Sequence, residues 1–241
     1  MNHWFFSALL LMGCANKEQT TNAPTAIPIE NTTPEENTAI SSDKDSLSFD
    51  ISDNNAIDAI QIVPLDSPSE DQHHYEIRFF SKGRQFGTYT AHTQTGREVG
   101  EWSVNTDLMS NGKQTDARFL HCSYGVPACG YDHAEFLFFL DSGKVQLVSR
   151  WSSASDGGFG YWTDIIPQFS DGKAVSFSSR KVEVADDEAV SDATDALEIS
   201  YSDSAVYHFE TGKWRGRNLT PQGKIYRKEN KLFDAFYKPE K

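Results

Sequence analysis

No apolar run in this chain is long enough to cross a bilayer as a helix, which takes about twenty residues; the one conspicuous run, from Trp4 to Met12, falls well short. Familiar catalytic signatures are missing too. There is no Gly-x-Ser-x-Gly elbow, no His-Glu-x-x-His helix and no phosphate loop ending in Gly-Lys-Ser/Thr, so serine-hydrolase, zinc-protease and nucleotide-hydrolase readings have no local support. Bases are outnumbered, with 22 Lys and Arg against 35 Asp and Glu and a formal charge of −13. That balance argues against nucleic acid as a partner. Cysteine is confined to Cys14, Cys122 and Cys129. From Ala15 to Ser46 no aromatic residue occurs and Thr, Asn, Glu, Ser and Pro dominate. Such a segment cannot bury enough apolar surface to fold and reads as a tether with a reach of roughly 30 Å.

What is present at the N-terminus is a short apolar stretch ending in Leu11-Met12-Gly13-Cys14. It reads as a signal peptide, not a membrane span. This motif resembles the lipobox of bacterial lipoproteins, in which a large apolar, a variable and a small residue precede a cysteine that is acylated and becomes the new N-terminus. The resemblance covers residues 1–14. It implies removal of residues 1–13, a palmitate-type lipid anchor on Cys14, and attachment to a membrane of the cell envelope. Ala15 in place of Asp implies the outer membrane. With Cys14 assigned to lipid, Cys122 and Cys129 remain as one pair, expected as a disulfide in an oxidising compartment. Its loop closure would contribute roughly 2.5 kcal/mol on the chain-entropy estimate.

Residues 14–46 are therefore expected as the lipidated cysteine and its tether, and residues 47–241 as a single all-β domain. Within it, short runs alternate apolar and polar, as half-buried strands do: Tyr75, Ile77 and Phe79 against Glu76 and Arg78, or Leu197, Ile199 and Tyr201 against Glu198 and Ser200. The run from Ala134 to Leu140 is apolar on both faces and predicts a central strand. Parity switches between Phe177 and Val182, which requires a bulge near Ser178-Ser179-Arg180.

A polar pair followed by Gly and a base recurs seven times, as in Ser81-Lys82-Gly83-Arg84, Asp141-Ser142-Gly143-Lys144 and Glu210-Thr211-Gly212-Lys213. It predicts serial antiparallel hairpins, with Gly taking φ > 0 where a type I turn closes into a bulge. A meander, a barrel or sandwich, and a divergent propeller-like repeat all fit this pattern. The tail from Glu229 to Tyr237 is expected as a short helix packing Leu232, Phe233 and Phe236 against the sheet. Charge is uneven: residues 183–198 hold seven acids and no base, whereas 213–241 hold nine bases and three acids.

Two constellations are candidates for chemistry. His121, Cys122, Cys129 and His133 lack zinc-site spacing, and adjacent strand residues point to opposite faces, so no metal or cofactor is assigned. The loop Trp151 to Trp162 combines glycines, a carboxylate and clustered rings. Asp156, Phe159, Tyr161 and Trp162 are the candidate ligand-binding residues, since aromatic faces stack on sugars while a carboxylate accepts hydroxyl hydrogen bonds. Asp156 with Asp164 is the only acid pair there suited to glycoside hydrolysis. The reading is a non-enzymatic envelope lipoprotein that binds or scaffolds a glycan or protein partner. A hydrolase of envelope or extracellular polysaccharide is the alternative.

Overall fold

The computed structural model describes residues 46–51, 57–69, 72–93, 100–128, 130–186 and 196–237. Cys14, Cys129, the expected signal peptide and, apart from Ser46, the expected tether lie outside them. The alternating runs form antiparallel strands. β1 (Leu47–Asp50), β2 (Ala59–Ser69), β3 (Gln72–Ser81) and β4 (Arg84–Thr93) make a four-stranded sheet in chain order. A second sheet, also in chain order, runs through β5 (Glu101–Asn105), β6 (Phe119–Gly125), β7 (His133–Asp141) and β8 (Lys144–Asp156) to β9 (Phe159–Ser170), β10 (Lys173–Asp186), β11 (Ala196–Glu210) and β12 (Lys213–Asn218). β13 (Arg227–Leu232) also pairs with β11 and leads into the short helix α1 (Phe233–Tyr237). Consecutive hairpins extend one sheet instead of opening new blades, so the architecture is a meander and not a propeller. Among the described residues no helix is long and apolar enough to cross a membrane.

Four of the recurring glycine turns close hairpins, and each does so in two residues: Ser81 faces Arg84, Asp141 faces Lys144, Ser170 faces Lys173 and Glu210 faces Lys213. Both turn residues have positive φ, for example Ser142 at 51° with Gly143 at 74°. That is a type I′ turn, not the type I turn with a bulge that the sequence suggested. Its backbone twist matches that of the flanking strands, which offsets the cost of the non-glycine residue. The turn at Gln94–Arg97 lies outside the described residues.

Three apolar clusters organise the molecule. Ile60, Ile62, Ile77 and Phe79 of the small sheet pack on Leu120, Cys122, Phe136, Phe138 and Leu140 of the large one. On the opposite face of the same strands, Phe119, Leu137 and Phe139 meet Phe177, Tyr207 and Trp214 from β10 to β12. The large sheet therefore curls back over itself, and β7 is sandwiched between two cores. This is why its sequence is apolar on both faces. Bulges between Leu137 and Phe138, Ala174 and Ser176, and Ser179 and Lys181 supply the bend. The last of these is the break expected from the parity switch.

The third cluster joins Val182, Val184, Leu197 and Ile199 to Phe159, Trp162, Phe233 and Phe236. The helix of the tail is shorter than expected, because residues up to Leu232 extend the sheet as β13. Leu232 itself is 58% exposed and, unlike Phe233 and Phe236, stands outside this cluster. The acidic and basic segments are neighbours here, since Lys228 of β13 pairs with Glu198 of β11 at 2.6 Å.

Candidate functional site

β8 and β9 pair only over Ala154–Asp156. Beyond that point β9 leaves β8 and follows β10. Gly160 makes the departure possible: its φ is +124°, and a Cβ there would lie 2.1 Å from the Ala154 carbonyl oxygen. No side chain is compatible with that approach. Two clefts meet over Arg150, Trp151 and Ser152 on the β8 edge so exposed.

The first cleft, of about 540 Å³, lies inside the curl of the large sheet. Trp151, Tyr161 and Tyr207 contribute rings; Ser149, Thr163, Ser179, Asn218, Thr220 and Gln222 contribute neutral polar groups; Lys181 and Asp203 contribute charge. The Tyr207 ring is stacked on Phe177 with centroids 4.4 Å apart, and its hydroxyl lies 3.1 Å from Ser149 Oγ. Trp151 stacks on His121 at 5.5 Å with the planes 6° apart. Tyr161 is held from both sides. Its hydroxyl donates to Asp132 Oδ1 at 2.5 Å, and Lys181 Nζ sits 4.3 Å from its ring centroid. Burial, together with the hydrogen bond to Asp132 and its charge, pushes the Tyr161 pKa up to about 12, which keeps the phenol neutral.

The second cleft, of about 770 Å³, opens between the two sheets and is lined by Gln72, His92, Thr93, Asp132, His133 and Glu135 beside Arg150. Glu135 is 7% exposed and accepts hydrogen bonds from Ser153 Oγ at 2.6 Å and, at 2.8 Å, His121 Nε2. Burial by itself would raise its pKa, but these donors more than offset it and hold the carboxyl below the usual range. His92 packs edge-on against His74 at 4.2 Å. Burial, then the charges of His74 and Arg150, lower its pKa.

The expected ligand-binding residues are divided by the structure. Tyr161 lines the first cleft, whereas Trp162 pairs with Val182 on the opposite face and joins Phe159 in the third apolar cluster. The Trp162 indole N–H donates to Asp164 Oδ1 at 3.0 Å, and its ring lies 6.3 Å from Phe236. All three rings are half-buried. Asp156 is exposed at the hairpin tip and lines neither cleft. Asp164 is ion-paired with Arg180 at 2.9 Å. The register places Asp164 five residues beyond Phe159, the partner of Asp156, so the two acids stand roughly 17 Å apart along the strand. That is too far for the hydrolytic pair the sequence suggested.

Cys122 is a free thiol with no exposed surface, on the core face of β6, and the pairing expected with Cys129 is not seen among the described residues. Its neighbour His121 points the other way, onto Trp151 and Glu135. Arg150, Lys181, Asp132, Tyr207 and the β12 to β13 residues of the first cleft carry no local motif. They come together only through the curl. No family model, curated protein or solved structure matches the chain.

Proposed function

We propose that this chain is a lipid-anchored envelope protein whose β-domain binds a glycan in the cleft inside the curl. The observation that carries the binding half is the lining of that cleft: half-buried Trp151 and Tyr161 rings among neutral hydroxyl and amide side chains. Sugars present apolar faces to rings and a fringe of hydroxyls to such groups. The anchoring half rests on Leu11-Met12-Gly13-Cys14 and the aromatic-free segment after it. Binding is favoured over hydrolysis by the acids. Glycoside cleavage needs a carboxyl pair within about 5–10 Å, whereas Asp156 lines neither cleft and Asp164 is ion-paired with Arg180.

Two measurements test the halves separately. A glycan array read with the purified full chain should show retention that Tyr161→Ala weakens; a folded chain retained on no sugar removes the binding reading. Cys14→Ser should move the protein from the membrane to the soluble fraction. An unmodified Cys14 on the mature chain, found by mass spectrometry, removes the anchor.

A further inference from the structure

We infer that the glycan is acidic and that Arg150 reads its carboxylate where the two clefts meet. This rests on the cleft being a glycan site. Arg150 lines both clefts, is exposed, and has no ion-pair partner among the described residues. Its guanidinium bonds the Tyr89 side chain. The carboxylates on the adjoining wall are already engaged, Asp132 by the Tyr161 hydroxyl and Glu135 by His121 and Ser153. The guanidinium therefore keeps most of its five N–H donors for a ligand, and its planar fork matches a carboxylate. Trp151 and Ser152 follow Arg150 in the sequence and line both clefts with it. The Arg150 guanidinium, which reaches Tyr89, and the Trp151 ring, which stacks on His121, stand on opposite faces of β8, so a ligand touching both lies across the strand edge that β9 has left. The chain's formal charge of −13 repels anions at long range. Recognition must then be by short-range contact, which is what a single exposed guanidinium at the junction of the two clefts offers.

The probe is oligogalacturonate and its fully methyl-esterified form, two ligands with one sugar backbone that differ in the charge Arg150 would read. Titration of each against the full chain should show the free acid bound about tenfold more tightly, the scale of one hydrogen-bonded charge contact. Arg150→Gln should abolish that preference by weakening the free acid to the level of the ester, with the melting temperature unchanged because the side chain is exposed. Equal binding of both forms by the wild type overturns the inference and leaves the glycan reading standing. A preference that survives in Arg150→Gln overturns it as well. Binding of neither form overturns the inference, and retention on no sugar of the array overturns the glycan reading with it.

Discussion

The side-chain amide of Gln146 satisfies both backbone groups of Trp214, 68 positions away: Nε2 donates to the Trp214 carbonyl at 2.8 Å, and Oε1 accepts the Trp214 N–H at 2.9 Å. A side chain thus does for β12 what a neighbouring strand would do. It fastens the end of the curl back onto β8 and closes the cavity wall around Phe119, Phe139 and Phe177, all packed on or near the Trp214 ring. Gln146→Leu keeps the volume and removes both bonds, leaving a half-buried N–H and C=O unpaired. It should destabilise the domain by about 2 kcal/mol, read as a lower urea midpoint. An unchanged midpoint would show that the curl closes on its apolar contacts alone.

Asp116 plays the corresponding part at the other side of the curl. Its carboxylate, 3% exposed, takes the Arg118 guanidinium at 2.6 and 2.9 Å and the Ala174 N–H at 2.8 Å, joining the loop before β6 to the start of β10. Burial disfavours the charge, but the bonds from Arg118 and Ala174 outweigh it, and the pKa is lowered. A lowered folded-state value means that the stabilisation is complete above the unfolded value of about 3.9 and is lost as pH falls through the lower folded one. Asp116→Asn should therefore cost about 3 kcal/mol at neutral pH. It should also flatten the acid limb of a stability-against-pH curve below about pH 4. An acid limb identical to that of the wild type would assign the slope to other carboxylates.

Local patterns carried the fold because they are local. The alternation through Tyr75 to Phe79, the doubly apolar Ala134 to Leu140 and the parity switch before Val182 each report a face, a layer or a bulge within a few residues. The glycine turns were legible for the same reason, although their type was not. Loop length sets it, and two strands can be paired across a turn in more than one register. The cleft was only partly legible. Tyr161 stood out by its company of glycines and rings, but Trp162 next to it belongs to the opposite face. Telling them apart requires knowing that Gly160 turns β9 away from β8. Arg150 and Tyr207 gave no signal, since 57 residues of chain separate groups that only tertiary closure unites.

Cys122 sits in the core with burial, and secondarily the charge of Glu135, raising its thiol pKa far above the ordinary value. Gly130, next in sequence to Cys129, donates its N–H to the Ser155 carbonyl at 2.9 Å, on a strand two places across the sheet from the one carrying Cys122. A disulfide would need the Cys129 Cα within about 7 Å of that of Cys122, and the Cys122 side chain is fully buried in the first apolar cluster. In the native protein a thiol reagent should leave Cys122 unmodified, and it should react only after unfolding. A non-reducing peptide map that links Cys122 to Cys129 would overturn this.

The adjacent rings Tyr161 and Trp162 give the sharpest test of the site, because their opposite faces separate binding from stability. Trp162 is packed with Val182 and Phe236 and tied to Asp164, so Trp162→Ala removes part of the contact that seats α1. It should lower stability by about 3 kcal/mol and leave glycan retention per folded molecule unchanged. Tyr161→Ala should do the reverse. It removes a ring from the first cleft, where the loss of one stacking contact is worth on the order of 1 kcal/mol, or about a fivefold weaker retention. Its stability should shift little, since the ring is half-buried and its hydroxyl bonds only the exposed Asp132. Tyr161→Phe then isolates the hydroxyl: retention close to wild type assigns the contact to the ring face, and retention as weak as that of the alanine variant assigns it to the hydrogen bond with Asp132. Melting curves and retention measured on the same three proteins decide the matter. If Trp162→Ala loses retention while Tyr161→Ala keeps it, the ligand lies on the face of the third apolar cluster and the cleft is not the site.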